Sequence, residues 1–509
     1  MSDEEDADSE SSLGSVSKGA GLFLGGDGFS RAVGLVTNLI LTRTLGTSLY
    51  GIFSYTTTLF SLFMVFTRLG GNKSMLRFLP EYEDDTRTQS VMLGLAYGTS
   101  IVASVLVTAV VFYLAPFISS VTLDDPLFVD VLRVASFVLP FNTLANVTTS
   151  VFKSMEKMEY DVVVSSVARP ILRLVFVGGA VLLGYSVVGA AAGFVVMGAL
   201  TFGVGLAILI RRSPFGVGTV RRPSTPELKE YYNYSLPLTF NQLGGFLYNR
   251  TDILMVGFFL SSSAVGIYNV SVTVATILSL PLVAFNQLFP PIASRLYHND
   301  ELDELEDLYG TVTRWIFTLS LCPAIAALLY SGDVLAVFGE GFTRGSVVLS
   351  LFVFSQVTNC FVGPSGYLLM MSDHQYLTLV NQLASGVLNA VLNYVLILEF
   401  GLIGAAIATS AVLAGINVLR IVEVWYLEGL LPYDRTFLKP VAAGAVAAGV
   451  MYAVSLLLDQ YALLVVGGAA GAVAYAAVLY LLGFEQEELD LLAGVVPSER
   501  LSRLLTDRS

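Results

Sequence analysis

Asn249-Arg250-Thr251-Asp252-Ile253-Leu254-Met255-Val256-Gly257-Phe258-Phe259-Leu260-Ser261-Ser262-Ser263-Ala264-Val265-Gly266-Ile267-Tyr268-Asn269 leaves one apolar run, crosses a short uncharged turn and enters another. Its charges, Arg250 and Asp252, fall where lipid or a packed bundle is expected. The stretch has an echo 215 residues earlier: Leu45-Gly46-Thr47-Ser48-Leu49-Tyr50-Gly51-Ile52-Phe53 lines up with Leu260–Tyr268. The same offset sets Val188-Gly189-Ala190-Ala191 against Ile403-Gly404-Ala405-Ala406. Two matches at one offset, far apart in the chain, imply a duplicated unit of about 200 residues, a common way to build a transporter with its path between the halves.

Working outward, the 509 residues are 55% hydrophobic and 13% charged, with mean hydropathy +0.72. Soluble domains carry about 25% charged residues, so this is the composition of an integral membrane protein. Apolar runs of the ~20 residues needed to cross ~30 Å of hydrocarbon recur along nearly the whole chain. The fold class expected is an all-α polytopic membrane protein of about fourteen spans. In the first lobe these fall at 18–42, 48–68, 89–115, 127–152, 160–184 and 187–211. In the second they fall at 232–259, 263–293, 310–334, 345–371, 375–398 and 402–427, followed by two more at 437–457 and 461–483. The implied organisation is an acidic disordered tail over 1–17, an N-lobe over 18–211, a cytoplasmic linker over 212–231 and a C-lobe over 232–427. Two further spans lie within 428–483, and 484–509 forms a cytoplasmic tail with a weak interfacial-helix pattern. Met1–Ser12 is acidic, the opposite of a signal peptide's basic n-region, so no cleaved leader is expected.

Orientation follows from the basic residues. With both termini cytoplasmic, 19 of the 27 Lys and Arg gather at inner ends of spans, while the outer loops hold only Arg43 and Arg344. The expected location is therefore the cytoplasmic membrane. The net charge of −13, with 21 Arg against 6 Lys, resembles haloarchaeal proteins adapted to high salt; acidic loops alone would also produce it. Net acidity argues against nucleic-acid binding. Cys322 and Cys360 lie in apolar spans and read as small packing residues. No connection is long enough to fold as a separate domain, so any function resides in the bundle.

Intramembrane charges cost about 2.5–3.5 kcal/mol each at mid-bilayer on insertion scales and should face a partner or a wet cavity. Asp27 and Arg31 are i, i+4 neighbours able to pair, either as a structural ion pair or as a cavity pair responding to substrate or a coupling ion. Arg169 and Arg173 repeat that spacing with like charges, which suits an anionic ligand or an aqueous interface. Arg133 reads as snorkelling to the outer interface. Arg250 and Asp252 project about 200° apart around their helix, so they cannot share one cavity. At the duplication offset Asp27 meets Gln242, Arg31 meets Phe246, Arg250 meets Leu35 and Asp252 meets Thr37. The charges are lobe-specific, as expected of a path and not of common scaffold. Uncharged amides, Asn286, Gln287, Gln356, Asn359, Asn381, Gln382, Asn389 and Asn393, suit either sugar hydroxyls or ordinary inter-helix hydrogen bonds.

Six, six and two spans with both ends inside resemble the polysaccharide flippase family of the multidrug/oligosaccharidyl-lipid/polysaccharide exporter superfamily. Asp252-Ile253-Leu254-Met255-Val256-Gly257 with Ala264-Val265-Gly266-Ile267-Tyr268-Asn269 is similar to the family's seventh and eighth helices. Leu41-Thr42-Arg43-Thr44-Leu45-Gly46 and Tyr50-Gly51-Ile52-Phe53 resemble its first loop. The resemblance implies two six-helix lobes around a cavity open alternately to each side. It also implies a lipid-linked oligo- or polysaccharide substrate carried on a polyprenyl or dolichyl phosphate or pyrophosphate. On that carry-over Arg31, Arg169, Arg173 and Arg250 are the anion contacts and Asp27 modulates Arg31. From the residues themselves, Asn389 is a candidate cavity contact among the amides, and Asp252, on the other side of its helix from Arg250, is a candidate for a hinge or outer gate. Arginine suits the task because it stays charged in apolar surroundings and chelates phosphate oxygens.

Two other classes compete. An ion-coupled multidrug antiporter of the same superfamily would favour an acidic or aromatic cavity and twelve spans. A membrane-embedded glycosyltransferase would need more than the Asp124-Asp125 pair in an outer loop. The sequence presents no catalytic constellation, no nucleotide-binding loop and no cofactor motif; with only His298 and His374, no histidine metal site is expected. The driving force would then be an H⁺ or Na⁺ gradient, membrane potential or substrate supply.

Overall fold

The computed structural model describes residues 2–212 and 222–483, with residues 2–24 described by their backbone alone. Residues 213–221 of the expected linker and the expected tail (484–509) lie outside the described residues, within which every regular element is helical. The helices of the first sequence copy are α1 (Ser2–Arg68), α2 (Gly71–Glu81), α3 (Thr86–Ser120), α4 (Pro126–Ser136), α5 (Val138–Ser154), α6 (Met158–Leu182) and α7 (Val187–Arg212). The longer ones of the second are α8 (Thr225–Phe259), α9 (Ser262–Ile277), α10 (Leu280–His298), α11 (Leu302–Leu329), α12 (Glu340–Val362) and α13 (Gln375–Glu428), with short helices at Ser331–Ala336 and Ser365–Met371, and α14 (Arg435–Ser455) and α15 (Gln460–Leu482) follow.

Glycine breaks the two longest helices. In α1 it is Gly46, at φ 70 and ψ −177, and in α13 it is Gly401, at φ 58 and ψ −131. Both values lie where a Cβ would clash with the backbone, so glycine lets a helix reverse without a longer loop. Each of these helices therefore contains two of the expected spans. Among the described residues nine helices are long and apolar enough to cross a membrane, or eleven when the bent pairs α4/α5 (42°) and α9/α10 (52°) each count as one span. Helix α8 is not among them, because Asn241, Gln242, Asn249, Arg250 and Asp252 dilute its apolar run. The all-helical polytopic architecture holds, and this criterion does not return the count of fourteen.

The chain divides into two compact units, Met1–Asn269 with Asn393–Leu402 and Val270–Leu392 with Ile403–Ser509. The first therefore takes in α8 and the start of α9, which belong to the second sequence copy. Its core joins Met75, Phe78 and Leu79 of α2 to Met92 and Leu95 of α3, Val151 and Phe152 of α5 and Tyr231 of α8. The α2 helix sits under this core as an amphipathic bracket, with the Arg77 guanidinium 4.6 Å from the Tyr234 ring. Beside it the Tyr82 hydroxyl donates to Glu230 at 2.6 Å, and that hydrogen bond to a carboxylate pushes the phenol up to about 12. In the second unit Phe289, Tyr309, Ile316, Leu368 and Val424 form the corresponding buried cluster. On α3, Val102, Leu106, Tyr113 and Phe117 are all 60% exposed or more along one face. An apolar stripe of that length faces lipid, not water.

Candidate functional site

The first unit gathers cations along α1 and α6. On α1 the Arg31 Nε donates to Asp27 Oδ2 at 2.6 Å, and both side chains remain more than a third exposed. Asn38 lies seven residues further on, almost in line with Arg31 along the helix. Its Oδ1 accepts from Arg173 Nη2 of α6 at 3.4 Å, a long bond that leaves the guanidinium under-satisfied. The face bearing Asp27, Arg31 and Asn38 thus reaches Arg173.

Helix α6 is not a regular α-helix. Two π segments, Val162–Ala168 and Arg173–Gly178, flank a single turn of α-helix at Arg169–Leu172. Pro170 supplies a reason, since it has no N–H to give and its ring crowds the carbonyl one turn back. Wider π turns recur at functional sites because they rotate side chains off the regular register. Here the irregular stretch carries both arginines. Arg169 Nε and Nη2 and Arg173 Nε are buried without a hydrogen-bond partner.

A third arginine joins them. Arg68, at the C-terminal end of α1, lies within electrostatic range of Arg169, and its Nε is also buried without a hydrogen-bond partner. The nearby carboxylate is Asp161, within electrostatic range of Arg169 and bridged to Lys153 at 3.2 Å. Counting Arg68 among the inner-end cations hid this neighbour, because its closeness to Arg169 arises from the packing of α1 on α6. The Arg133 guanidinium lies 5.7 Å from the Phe112 ring centroid, at the far limit of a cation–π contact.

The opening stretch divides as its helical geometry requires. Arg250 is exposed. Asp252 is buried, with Oδ2 accepting from the Tyr268 hydroxyl at 2.7 Å and Oδ1 accepting from Ile253 N at 2.8 Å. Its carboxylate ties α8 to α9 across the turn between them. Asn389 is buried in the second unit. There, too, Asn381 Nδ2 donates to both oxygens of Glu423, at 2.9 and 2.7 Å. Sequence reasoning passed over Glu423, whose signal was a carboxylate before Val424-Trp425-Tyr426 in a largely apolar helix. Chemically, the first unit offers guanidinium donors with unused hydrogen-bonding capacity in low-dielectric surroundings. Such donors hold an oxyanion.

The fold is shared with solved transporters of low sequence identity. It matches the structure described as "Lipid II flippase MurJ, inward closed conformation" with a TM-score of 0.72 at 13% identity, over 90% of this chain and 97% of that one. It also matches an inward-facing multidrug resistance MATE family transporter with a TM-score of 0.58 at 16% identity, over 77% and 93% of the two chains. At these identities the likeness is one of fold. The polysaccharide biosynthesis protein family model matches residues 16–295, more than half of the sequence, and the chain belongs to that family. Among curated relatives, the probable low-salt glycan biosynthesis flippase Agl15 of Haloferax volcanii is 29% identical over 195 residues, 38% of this chain and 41% of the relative. The probable flippase AglR of the same organism is 30% identical over 211 residues, 39% and 43% of the two chains. The matched part thus spans about two-fifths of each relative's length.

Proposed function

We propose that this protein moves a lipid-linked oligo- or polysaccharide precursor across the cytoplasmic membrane by alternating access, with both termini cytoplasmic and fourteen spans in two lobes and a terminal pair. The observation that carries the reading is the buried, under-satisfied guanidinium of Arg169 beside Arg68, with Arg173 and Arg31 along the same pair of helices. Arg31, Arg68, Arg169 and Arg173 hold the phosphate or pyrophosphate of a polyprenyl or dolichyl carrier, Asp27 restrains Arg31, and exposed Arg250 is a further anion contact. Asn389 is a candidate for sugar hydroxyls, and an H⁺ or Na⁺ gradient is the candidate drive. The names of the partial relatives support the substrate class. The under-satisfied atoms of Arg68, Arg169 and Arg173 are donors, so this cluster favours an anionic cargo over the cationic drugs of an antiporter.

The test is reconstitution in proteoliposomes with lipid-linked glycans, scoring glycan that becomes accessible on the far leaflet. Arg169→Ala is expected to lower that rate by about tenfold or more, the scale of one charge-assisted contact of ~1.5–3 kcal/mol, with Arg31→Ala and Arg250→Ala also reduced. Normal flipping in Arg169→Ala and Arg31→Ala protein that inserts normally would overturn the assignment.

A further inference from the structure

Another cationic site lies within the second compact unit, on helices other than those that carry the arginines described above. Arg314 of α11, Thr436 and Lys439 at the start of α14 and Gly483 just past α15 line a cleft of about 40 Å³. One water needs ~10–15 Å³ on this measure, so the space holds several waters or a small anionic group. The cleft is preformed. Beside it α14 crosses α11 at Gly444, where an added Cβ would fall 2.9 Å from Leu321 Cδ2. The Tyr475 hydroxyl of α15 donates to the Thr318 carbonyl of α11 at 2.9 Å, and Lys439 Nζ donates to the Gly483 carbonyl at 3.0 Å. Each of the three helices is thus tied to another around the space.

Its chemistry suits an anion. The chain carries 40 acidic against 27 basic residues, yet the lining includes Arg314 and Lys439 and no carboxylate. Arg314 is buried, and Asp434, 3.4 Å from its Nη1, is 57% exposed. The Asp434 Oδ1 already accepts from the Thr436 and Phe437 amides, at 3.0 and 3.2 Å. A solvated partner at that distance offsets little of the guanidinium's charge. Trp315 also lines the cleft, and its Nε1 is buried without a hydrogen-bond partner. An indole N–H can only donate, so the group that satisfies it is an acceptor. The surroundings indicate where that acceptor comes from. Pro440 and Leu479 complete the wall, while Leu438, next to Lys439, and Leu481, between Leu479 and Gly483, are 67% and 80% exposed. In a membrane protein such apolar surface faces lipid, so an anion seated here has hydrocarbon beside it.

We propose that the cleft among α11, α14 and α15 seats the phosphate of an anionic membrane lipid, a resident lipid and not the cargo, which fastens the terminal helix pair to α11. Arg314 and Lys439 meet the phosphate oxygens from different helices, and the Trp315 N–H donates to the same headgroup. A guanidinium and an ammonium converging between membrane helices form a headgroup pocket. The site does not depend on what the protein moves; only its assignment to the cytoplasmic leaflet follows from the proposed orientation.

The experiment titrates the full chain, in uncharged detergent, with phosphatidylglycerol, phosphatidylcholine or inorganic phosphate. Native mass spectrometry reads the retained lipid, and thermal unfolding reads the midpoint. Phosphatidylglycerol should be retained one per chain and about tenfold more tightly than phosphatidylcholine, the scale of one charge-assisted contact. The chain's formal charge of −13 opposes any unspecific gain of this kind. The midpoint should rise with occupancy. Lys439→Gln should weaken retention about tenfold and Trp315→Phe, which keeps both cations, about threefold. Arg222→Gln, which removes an exposed cation in the other unit, should leave it unchanged. Equal retention of the two lipids, or retention unchanged in both Lys439→Gln and Trp315→Phe, would overturn the site. An equal rise in midpoint with inorganic phosphate alone would overturn the lipid as its source and leave a site for free phosphate.

Discussion

At the scale of single residues, Arg250 and Asp252 show how two positions turn neighbouring charges to different ends. Two residues along a helix is about 200° of rotation, so Asp252 packs against Tyr268 while Arg250 stays exposed. A buried carboxylate that loses a hydrogen-bond donor is left with the desolvation cost of that oxygen, about 1–3 kcal/mol. Tyr268→Phe is therefore expected to destabilise the protein by about that amount, measured as a fall in midpoint during thermal unfolding in detergent. Asp252→Asn should cost less, because an amide oxygen still accepts from the tyrosine and no charge has to be buried. Equal losses in the two variants would show that the carboxylate charge itself is required.

At the scale of elements, α8 begins with a built N-terminus. Ser224 and Glu227 form a reciprocal capping box, with Ser224 N donating to Glu227 Oε2 and Glu227 N to Ser224 Oγ, and Pro226 follows in the first turn. Those hydrogen bonds from Ser224 hold the Glu227 carboxyl below the usual carboxylate range. The native state thus releases this proton more readily than the unfolded chain, whose glutamate titrates near ~4.3. The contribution is complete above that value and is lost as pH falls through the depressed one. Ser224→Ala should cost about 1 kcal/mol at neutral pH; Glu227→Gln keeps the serine cap but removes the titrating carboxyl, and its gap from wild type should narrow on acidification below ~4. A gap constant from neutral to strongly acidic pH would disprove the coupling. The same scale explains α6. Its sequence shows two arginines four residues apart with a proline between, but the π segments that flank that proline are visible only in the folded helix.

At the scale of the whole molecule, 40 acidic and 27 basic residues leave a formal charge of −13. Self-repulsion of that size opposes the compact state until it is screened. The screening length falls from about 10 Å at 0.1 M to about 3 Å at 1 M salt, so thermal stability in detergent should rise across that interval. A Lys- and Arg-enriched surface variant of near-zero net charge should lose most of this dependence. Salt dependence unchanged in that variant would locate its origin elsewhere.

The sequence by itself determined the membrane class, the duplication and the turn at its centre. These depend on local composition and repetition, which need no folding to be visible. It also paired Asp27 with Arg31, because i, i+4 geometry is a property of any helix. Contacts between distant elements were not legible. Nothing in the order of residues says that Arg68 comes near Arg169, that Arg173 reaches Asn38 or that Glu423 is held by Asn381. These depend on how helices far apart in sequence pack. The repeated turn Thr47–Gly51 shows both sides of this division. The sequence marked it and its copy Ser262–Gly266 as shared scaffold; only the tertiary structure showed the copies meeting each other, with Ser48 Oγ 2.7 Å from Ser262 Oγ, because contact between copies exists only when helices pack.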